Sequence, residues 1–191
     1  MTPLRTVIAA VGAALLLGAW SPTPEAVTAA QSGKVWLDVR SDPNSSAQLG
    51  RAVVDIDAPP AVVWKLMTDC AAIRRIMPSN RGCKVVSRKG NSEVVEQIIN
   101  TPIMPDLHTV FRQDFEPGKR ILITRVDGDL KIINGEWRLQ ALPGGGSRVS
   151  QEMRMQPAFP APGMMVRTFL RNELSVGLAN LRAEAEAAAK T

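Results

Sequence analysis

The stretch Arg51-Ala-Val-Val-Asp-Ile-Asp-Ala-Pro-Pro-Ala-Val-Val-Trp-Lys-Leu-Met-Thr-Asp69 changes its hydrophobic spacing halfway along. In its first part apolar and polar residues alternate, which predicts a β-strand over 48–56 with one buried face. After the two prolines, apolar residues recur three and four positions apart, which predicts a helix over 60–68. Asp57 is the expected cap of that helix because its carboxylate can accept from free amides of the first turn. The stretch therefore predicts a strand that leads directly into a helix.

The residues on either side extend this pattern. A second short helix is predicted over 70–76, with Asp69 as its cap. Upstream, residues 35–40 alternate between apolar and polar side chains, and residues 42–45 have the composition of a tight turn. We therefore expect an added strand in the segment 30–47, paired as a hairpin with the strand over 48–56.

Downstream of Gly82 the alternation continues for most of the chain and is broken only by short groups of turn-forming residues. Short connections favour antiparallel neighbours, so these segments form a continuous meander. The six predicted strands are 83–88, 93–100, 108–115, 120–126, 131–141 and 147–156.

The C-terminal segment begins with the proline-rich loop 157–162 and continues as one long amphipathic helix. Its apolar stripe consists of Val166, Phe169, Leu170, Leu174, Leu178 and Leu181. This helix is the element long enough to cover a curved sheet. The sequence thus predicts an α+β fold of about seven to eight antiparallel strands wrapped around a C-terminal helix, a geometry that leaves room for an apolar pocket.

Three stretches carry a resemblance to a known family: the strand and helix quoted above, Gly135-Glu-Trp137-Arg-Leu, and Phe159-Pro-Ala-Pro162 before the last helix. In this order they resemble the SRPBCC, or START-like, superfamily, in its polyketide cyclase/dehydrase and coenzyme Q-binding branch. The resemblance implies a helix-grip fold over residues 48–191. It also implies an internal cavity for a lipid, sterol, quinone or polyketide-like molecule.

Candidate ligand contacts follow from the side chains expected on the two inner faces. The cavity candidates are Trp64, Trp137, Met153, Met155, Phe169, Leu170 and Leu174, for which plain core packing is the alternative. Apolar residues in two proline-stiffened loops, Ile103, Met104 and Phe159, are the candidate rim of the cavity. We expect this rim to contact the ligand or a membrane surface; loops folded over the sheet edge are the alternative.

Catalytic residues are scarce, because the chain has no Tyr and one His. His108 is a weak candidate for a general acid or base, and the other acid-base candidates within strands are Glu96, Arg112, Arg125 and Glu136. The sequence therefore favours a non-enzymatic binding module for a hydrophobic small molecule or lipid. The alternatives are a cyclase, dehydratase or hydrolase acting on such a ligand, and an envelope interaction protein without a ligand.

Charge and composition exclude other classes of protein. The formal net charge is +5, but 23 Lys and Arg are balanced by 18 Asp and Glu and form no basic run, so nucleic acid is not an expected partner. One His and two Cys cannot assemble a metal site alone. We therefore expect neither a metal nor a cofactor.

The first residues predict export. Arg5 precedes an uncharged stretch rich in Ala and Leu, and small residues follow at a plausible cleavage point before Ala30. Residues 1–29 are therefore interpreted as a signal peptide, with an uncleaved anchor as the alternative, and the mature protein as periplasmic or extracellular. In such a compartment Cys70 and Cys83 are expected to form a disulfide; two free thiols are the alternative.

Overall fold

The structure is a computed structural model, and it describes residues 20–102 and 104–190. The elements follow in chain order. They are α1 (Pro24–Gln31), β1 (Trp36–Ser41), β2 (Gln48–Ile56), α2 (Pro60–Thr68), α3 (Cys70–Ile76), β3 (Asn80–Lys89), β4 (Ser92–Thr101), β5 (Met104–Glu116), β6 (Arg120–Gly128), β7 (Leu130–Ala141), β8 (Ser147–Pro157) and α4 (Gly163–Ala188).

Within the described residues the eight strands form one antiparallel sheet in the order β1-β2-β8-β7-β6-β5-β4-β3. Strands β3 to β8 are a meander, and β2 closes onto β8 before the hairpin partner β1. Helix α4 packs across the concave face, most extensively against β2. The predicted α+β helix-grip fold and the β1–β2 hairpin are confirmed.

The two short helices occupy the predicted residues, but their caps differ. The Asp69 side chain accepts a hydrogen bond from the backbone amide of Ala71 at 2.8 Å, as expected for the cap of α3. The predicted cap of α2 is wrong: this helix starts after Pro59 without a side-chain cap. Asp57 instead donates its backbone N–H to the Glu186 carboxylate of α4 at 3.2 Å. A proline in the first turn lacks one of the amides that a cap would satisfy.

Close approach of α4 to the sheet depends on small residues beneath it. A Cβ atom placed on Gly50 of β2 would lie 2.5 Å from Leu174 Cδ1, and one placed on Gly177 of α4 would lie 2.7 Å from the sulfur of Met77. Leu174 and Leu178 are both at most 2% exposed. Glycine at position 50 therefore allows the close approach of α4 to β2, and glycine at position 177 allows the close approach of α4 to Met77.

The convex face of the sheet is charged and internally paired. Arg51 of β2 lies directly opposite Glu152 of β8, and their side chains are 2.7 Å apart. Asp55 and Arg148 form the next such pair, at 2.6 Å. Because side chains alternate between faces, Ala52 and Val54 point toward α4, whereas Val53 shares the face of the charges.

A disulfide joins Cys70 of α3 to Cys83 of β3, whose Cα atoms are 5.5 Å apart. It closes the connection between the short helices and the outer strand of the meander. The pairing agrees with the sequence-based prediction.

Residues 20–31 pack against the sheet as part of the fold. Ala26 and Ala30 of α1 are fully buried against Val53 of β2. Trp20 stacks on Trp36 of β1 with ring centroids 6.3 Å apart. The predicted cleavage point before Ala30 thus falls within α1, while residues 1–19 lie outside the described residues. No helix of the described part is long and apolar enough to cross a membrane.

A chain that starts at Ala30 is expected to be less stable than one that starts at Trp20. It loses the Trp20–Trp36 stack, which contributes about 0.5–1.5 kcal/mol. It also loses the packing of Ala26, a residue of α1, against Val53 of β2. We expect a loss of about 2–3 kcal/mol in total, which lowers the melting temperature by roughly 4–12 °C. Thermal unfolding of the two purified chains measures this. Equal melting temperatures would mean that α1 adds nothing to the folded domain.

Candidate functional site

A cavity of about 100 Å³ lies between the concave face of the sheet and α4. Six of the predicted cavity residues meet there. Trp137, Met153 and Met155 reach it from β7 and β8, and Phe169, Leu170 and Leu174 reach it from α4. Met153 and Met155 are two positions apart on β8, so their side chains lie on one face of the strand. Leu174 follows Phe169 and Leu170 by five and four positions, so these three side chains lie on one face of the helix.

The rest of the apolar lining comes from the middle of the meander and from α3. It consists of Ile73, Met77, Ile99, Phe111, Ile123 and Ile133. An engineered protein cavity of about 150 Å³ accommodates benzene. At about 100 Å³ the cavity as it stands is smaller than that, so a ligand of one ring or more requires the walls to move apart.

Polar side chains interrupt this lining, and none of them was among the cavity residues predicted from the sequence. They are Ser79, Asn80, Gln97, Gln113, Gln151 and Glu173. Gln151 shares strand parity with Met153, and Glu173 lies three residues after Leu170, on the apolar stripe of the helix. Both are polar residues at positions where the repeat of the strand or helix otherwise places apolar residues. This break in the pattern was the signal that could have identified them.

Glu173 is 6% exposed and projects from α4 into the cavity. Burial raises the pKa of its carboxyl, and hydrogen bonds from the Ser79 hydroxyl and backbone amide offset part of that effect. Raised pKa values are common for groups that work in enclosed sites, although structural groups show them too. The cavity therefore holds an acid whose neutral form is more favoured than that of an exposed glutamate.

Replacement of Glu173 by Gln is expected to make stability less dependent on pH. Because the folded-state pKa lies above the unfolded value of 4.5, the stabilising effect of the neutral carboxyl is complete below that value and is lost as pH rises through the folded-state pKa. Across this window the stability of the wild type relative to Glu173→Gln falls by about 1.4 kcal/mol per pH unit. Urea unfolding at a series of pH values measures the difference.

The matched control for this experiment is Glu25→Gln, which removes an exposed carboxyl in the first turn of α1. Its stability should follow that of the wild type across the same pH range. A constant difference between wild type and Glu173→Gln at all pH values would contradict a raised pKa for Glu173.

The structure places Trp64 and Phe159 outside the lining of the cavity. Trp64 is half-buried and packs edge-to-face on Phe115, with ring centroids 6.2 Å apart, because the buried face of α2 is formed by Val63 and Met67. Phe159 is half-buried against the main core. Ile103 and the side chain of Met104 lie outside the described residues, so contact with a membrane surface stays a prediction.

The acid-base candidates do not line the cavity. His108 is 46% exposed, and its Nε2 lies 2.6 Å from Glu96 Oε1. The remaining candidates form hydrogen bonds with groups that are close in the chain. Arg112 donates to Asp114, Arg125 donates to backbone carbonyls at the β6–β7 turn, and Glu136 accepts from Arg138. The four candidates other than Arg125 have a strand parity opposite to that of the inward-facing residues. Arg125 shares the parity of Ile123 but bonds to backbone carbonyls at the β6–β7 turn. Among the described residues that line the cavity, the acid is therefore Glu173.

Comparison with known families identifies the class of protein. Residues 56–182, well over half of the chain, match the family described as polyketide cyclase / dehydrase and lipid transport. The chain belongs to this family, and the predicted membership of the START-like superfamily is confirmed. A sequence comparison with curated proteins found no match.

Solved structures share the fold at low sequence identity. The human StAR-related lipid transfer protein 5 has a TM-score of 0.68 and 13% identity, over 81% of this chain and 83% of that one. A STAR-related lipid transfer protein from Xanthomonas axonopodis has a TM-score of 0.65 and 18% identity, over 79% and 93%. The Zhui aromatase/cyclase from Streptomyces sp. R1128 has a TM-score of 0.61 and 14% identity, over 75% and 94%. At these identities the likeness establishes the fold alone.

Proposed function

We propose that the protein binds a hydrophobic small molecule or lipid in the cavity between the sheet and α4. The observation that carries this proposal is the cavity itself, whose wall is mainly apolar and is built from both layers of the fold. Membership of a family that includes lipid transport supports it. Burial of ligand surface would supply the affinity, at about 25 cal/mol per Å² of apolar area.

The test uses two neighbouring residues of β6 that face opposite sides of the sheet. Ile123 is 5% exposed and lines the cavity, whereas Leu122 is 38% exposed on the other face. Ile123→Trp places a larger side chain in the cavity, and Leu122→Trp is the matched control. The wild type and the control should take up the fluorophore N-phenyl-1-naphthylamine, whose three rings require the cavity walls to move apart. Ile123→Trp should bind it at least tenfold more weakly. Equal uptake by both variants would place the fluorophore outside the cavity.

Catalysis on the bound molecule is the second candidate function. It is favoured by one observation, the buried carboxyl of Glu173 in the cavity, whose pKa burial raises in the direction that a general acid requires. The test is extraction of the molecules that copurify with the wild type and with Glu173→Gln. A substrate that accumulates in the variant and a product in the wild type would support an enzyme, and identical molecules would support a carrier.

We also propose that the protein is exported to the periplasm or the cell exterior. The apolar, Ala- and Leu-rich N-terminal stretch after Arg5 and the Cys70–Cys83 disulfide support this location. Because α1 packs on the sheet, a mature chain that keeps Trp20 would keep the whole fold. N-terminal sequencing of the protein from the envelope fraction tests both points, and recovery of the full-length chain in the cytoplasmic fraction would overturn the proposed location.

A further inference from the structure

Within the described part of the chain, three buried side-chain oxygens accept no hydrogen bond: Asn80 Oδ1, Gln151 Oε1 and Glu173 Oε1. The three residues are 5%, 3% and 6% exposed, and all three line the same cavity. They come from β3, β8 and α4, so three separate elements converge there. Buried polar atoms in folded proteins nearly always have a partner. Three such atoms around one cavity therefore indicate a bound group that supplies the missing partners.

We propose that the ligand carries a hydroxyl group on its apolar body, and that this hydroxyl donates a hydrogen bond to the Gln151 oxygen inside the cavity, while further hydroxyls of the ligand or water donate to Asn80 and Glu173. The inference rests on the proposed function and specifies its ligand. A hydroxyl both donates and accepts, so it can pair with the oxygen of a side-chain amide and with its NH₂ group. An ether, ester or ketone only accepts, and would leave the three oxygens without a donor.

A neutral donor suits this site better than a cation. Among the described residues that line the cavity, Glu173 is the ionisable one, and burial disfavours its charged form. An ammonium group would need that carboxylate to be ionised in order to pair with it. A hydroxyl can donate to the carboxylate or accept from the neutral carboxyl, so its binding requires no change of charge in the cavity.

Water can occupy the same place in the ligand-free protein and donate to the same oxygens. A ligand hydroxyl that displaces it keeps such a hydrogen bond, whereas the corresponding methyl ether, which is larger by one methyl group and has no donor, does not. Selectivity for the hydroxyl is therefore expected even though the ether is the more hydrophobic compound. A preference of about tenfold corresponds to one hydrogen bond made or lost.

The test compares three single-ring probes, chosen because small probes require the least outward movement of the walls around the cavity of about 100 Å³. They are p-cresol, 4-methylanisole and 4-methylbenzylamine, each titrated against the wild type loaded with N-phenyl-1-naphthylamine. We expect p-cresol to displace the fluorophore at a concentration at least about tenfold lower than 4-methylanisole or the amine does.

The same titrations on two amide variants localise the effect. Gln151→Leu removes one unpartnered oxygen from the cavity, and Gln140→Leu makes the same change at an exposed position of β7. The preference for p-cresol over 4-methylanisole should fall several-fold in Gln151→Leu and stay unchanged in Gln140→Leu. Retained binding of 4-methylanisole shows that Gln151→Leu is folded, and if that variant does not fold, the wild-type comparison decides.

The outcomes separate this inference from the proposed function. Equal displacement by p-cresol and 4-methylanisole would overturn the hydroxyl and leave cavity binding intact. Strongest displacement by the amine would overturn it in favour of cation recognition. An unchanged preference in folded Gln151→Leu would overturn the assignment to these residues. If no probe displaces the fluorophore and Ile123→Trp still binds it, the proposed function fails, and the inference fails with it.

Discussion

Phe169→Ala is expected to lower the free energy of unfolding by about 3–5 kcal/mol, which corresponds to a fall in melting temperature of roughly 10 °C or more. Phe169 is 4% exposed on the face of α4 that meets the sheet. Its removal costs the transfer free energy of the ring and leaves empty space beside an existing cavity. The two voids merge, so the neighbours gain little by collapsing inward.

Met164→Ala is the matched control, because Met164 lies on the same helix and is 69% exposed. Its melting temperature should stay within about 2 °C of the wild type, since exposed substitutions change stability by at most about 0.5 kcal/mol. Benzene should restore part of the loss in Phe169→Ala by filling the enlarged cavity. A loss of less than about 1 kcal/mol in Phe169→Ala would show that α4 is not held against the sheet by this side chain.

Gly135→Ala is expected to cost about 3 kcal/mol, although it adds only one methyl group. Gly135 of β7 lies opposite Met153 of β8. A Cβ atom at Gly135 would overlap the carbonyl oxygen of Glu152 and lie 2.9 Å from the Cα atom of Met153. Both obstacles are backbone atoms, so no rotamer change relieves them and the two strands must separate locally.

Gly82→Ala provides the comparison. Gly82 is also a strand glycine, but a Cβ atom there would meet only side-chain atoms of Ile98, at 3.7 Å or more, which is ordinary contact. Denaturant unfolding of both variants should show a loss confined to Gly135→Ala. Similar effects of the two substitutions would mean that loss of glycine in a strand, and not the close approach of β8, sets the cost.

The cavity bears on why related folds serve different functions. Among the structures that share this fold, one is described as an aromatase/cyclase and others as lipid transfer proteins. A common backbone with different cavity linings can support both, since function depends on the site more than on the fold. In this chain the cavity lining includes the buried acid Glu173 and the amides Asn80 and Gln151.

Much of the architecture could be predicted because its signals are local. The alternation around Met153 and the spacing of Phe169, Leu170 and Leu174 each depend on side-chain directions within a single strand or helix. The structure places Glu136 on the face opposite to Trp137, as the alternation of side chains along one strand requires. Element order and inward faces therefore followed from periodicity alone.

The prediction was less successful where packing between elements decided the outcome. Trp64 was expected in the cavity, but the seating of α2 on Val63 and Met67 directs its ring toward Phe115. Residues 24–29 were interpreted as part of a signal peptide, yet they pack as helix α1 on β2. Neither contact has a signature in the neighbouring sequence, because both partners lie far away along the chain.

Sequence periodicity was sufficient for the class of fold and for the inward faces of the predicted elements, because these depend on residues close together in the chain. The resemblance of three short stretches indicated the family. The position and volume of the cavity, and the three unpartnered oxygens around it, depend on the tertiary structure. They follow from how closely α4 approaches the sheet over Gly50, and from the convergence of Asn80, Gln151 and Glu173 from three distant segments. A burial penalty or an unmet hydrogen bond arises only when such segments meet and exclude water, so local spacing alone could not predict them.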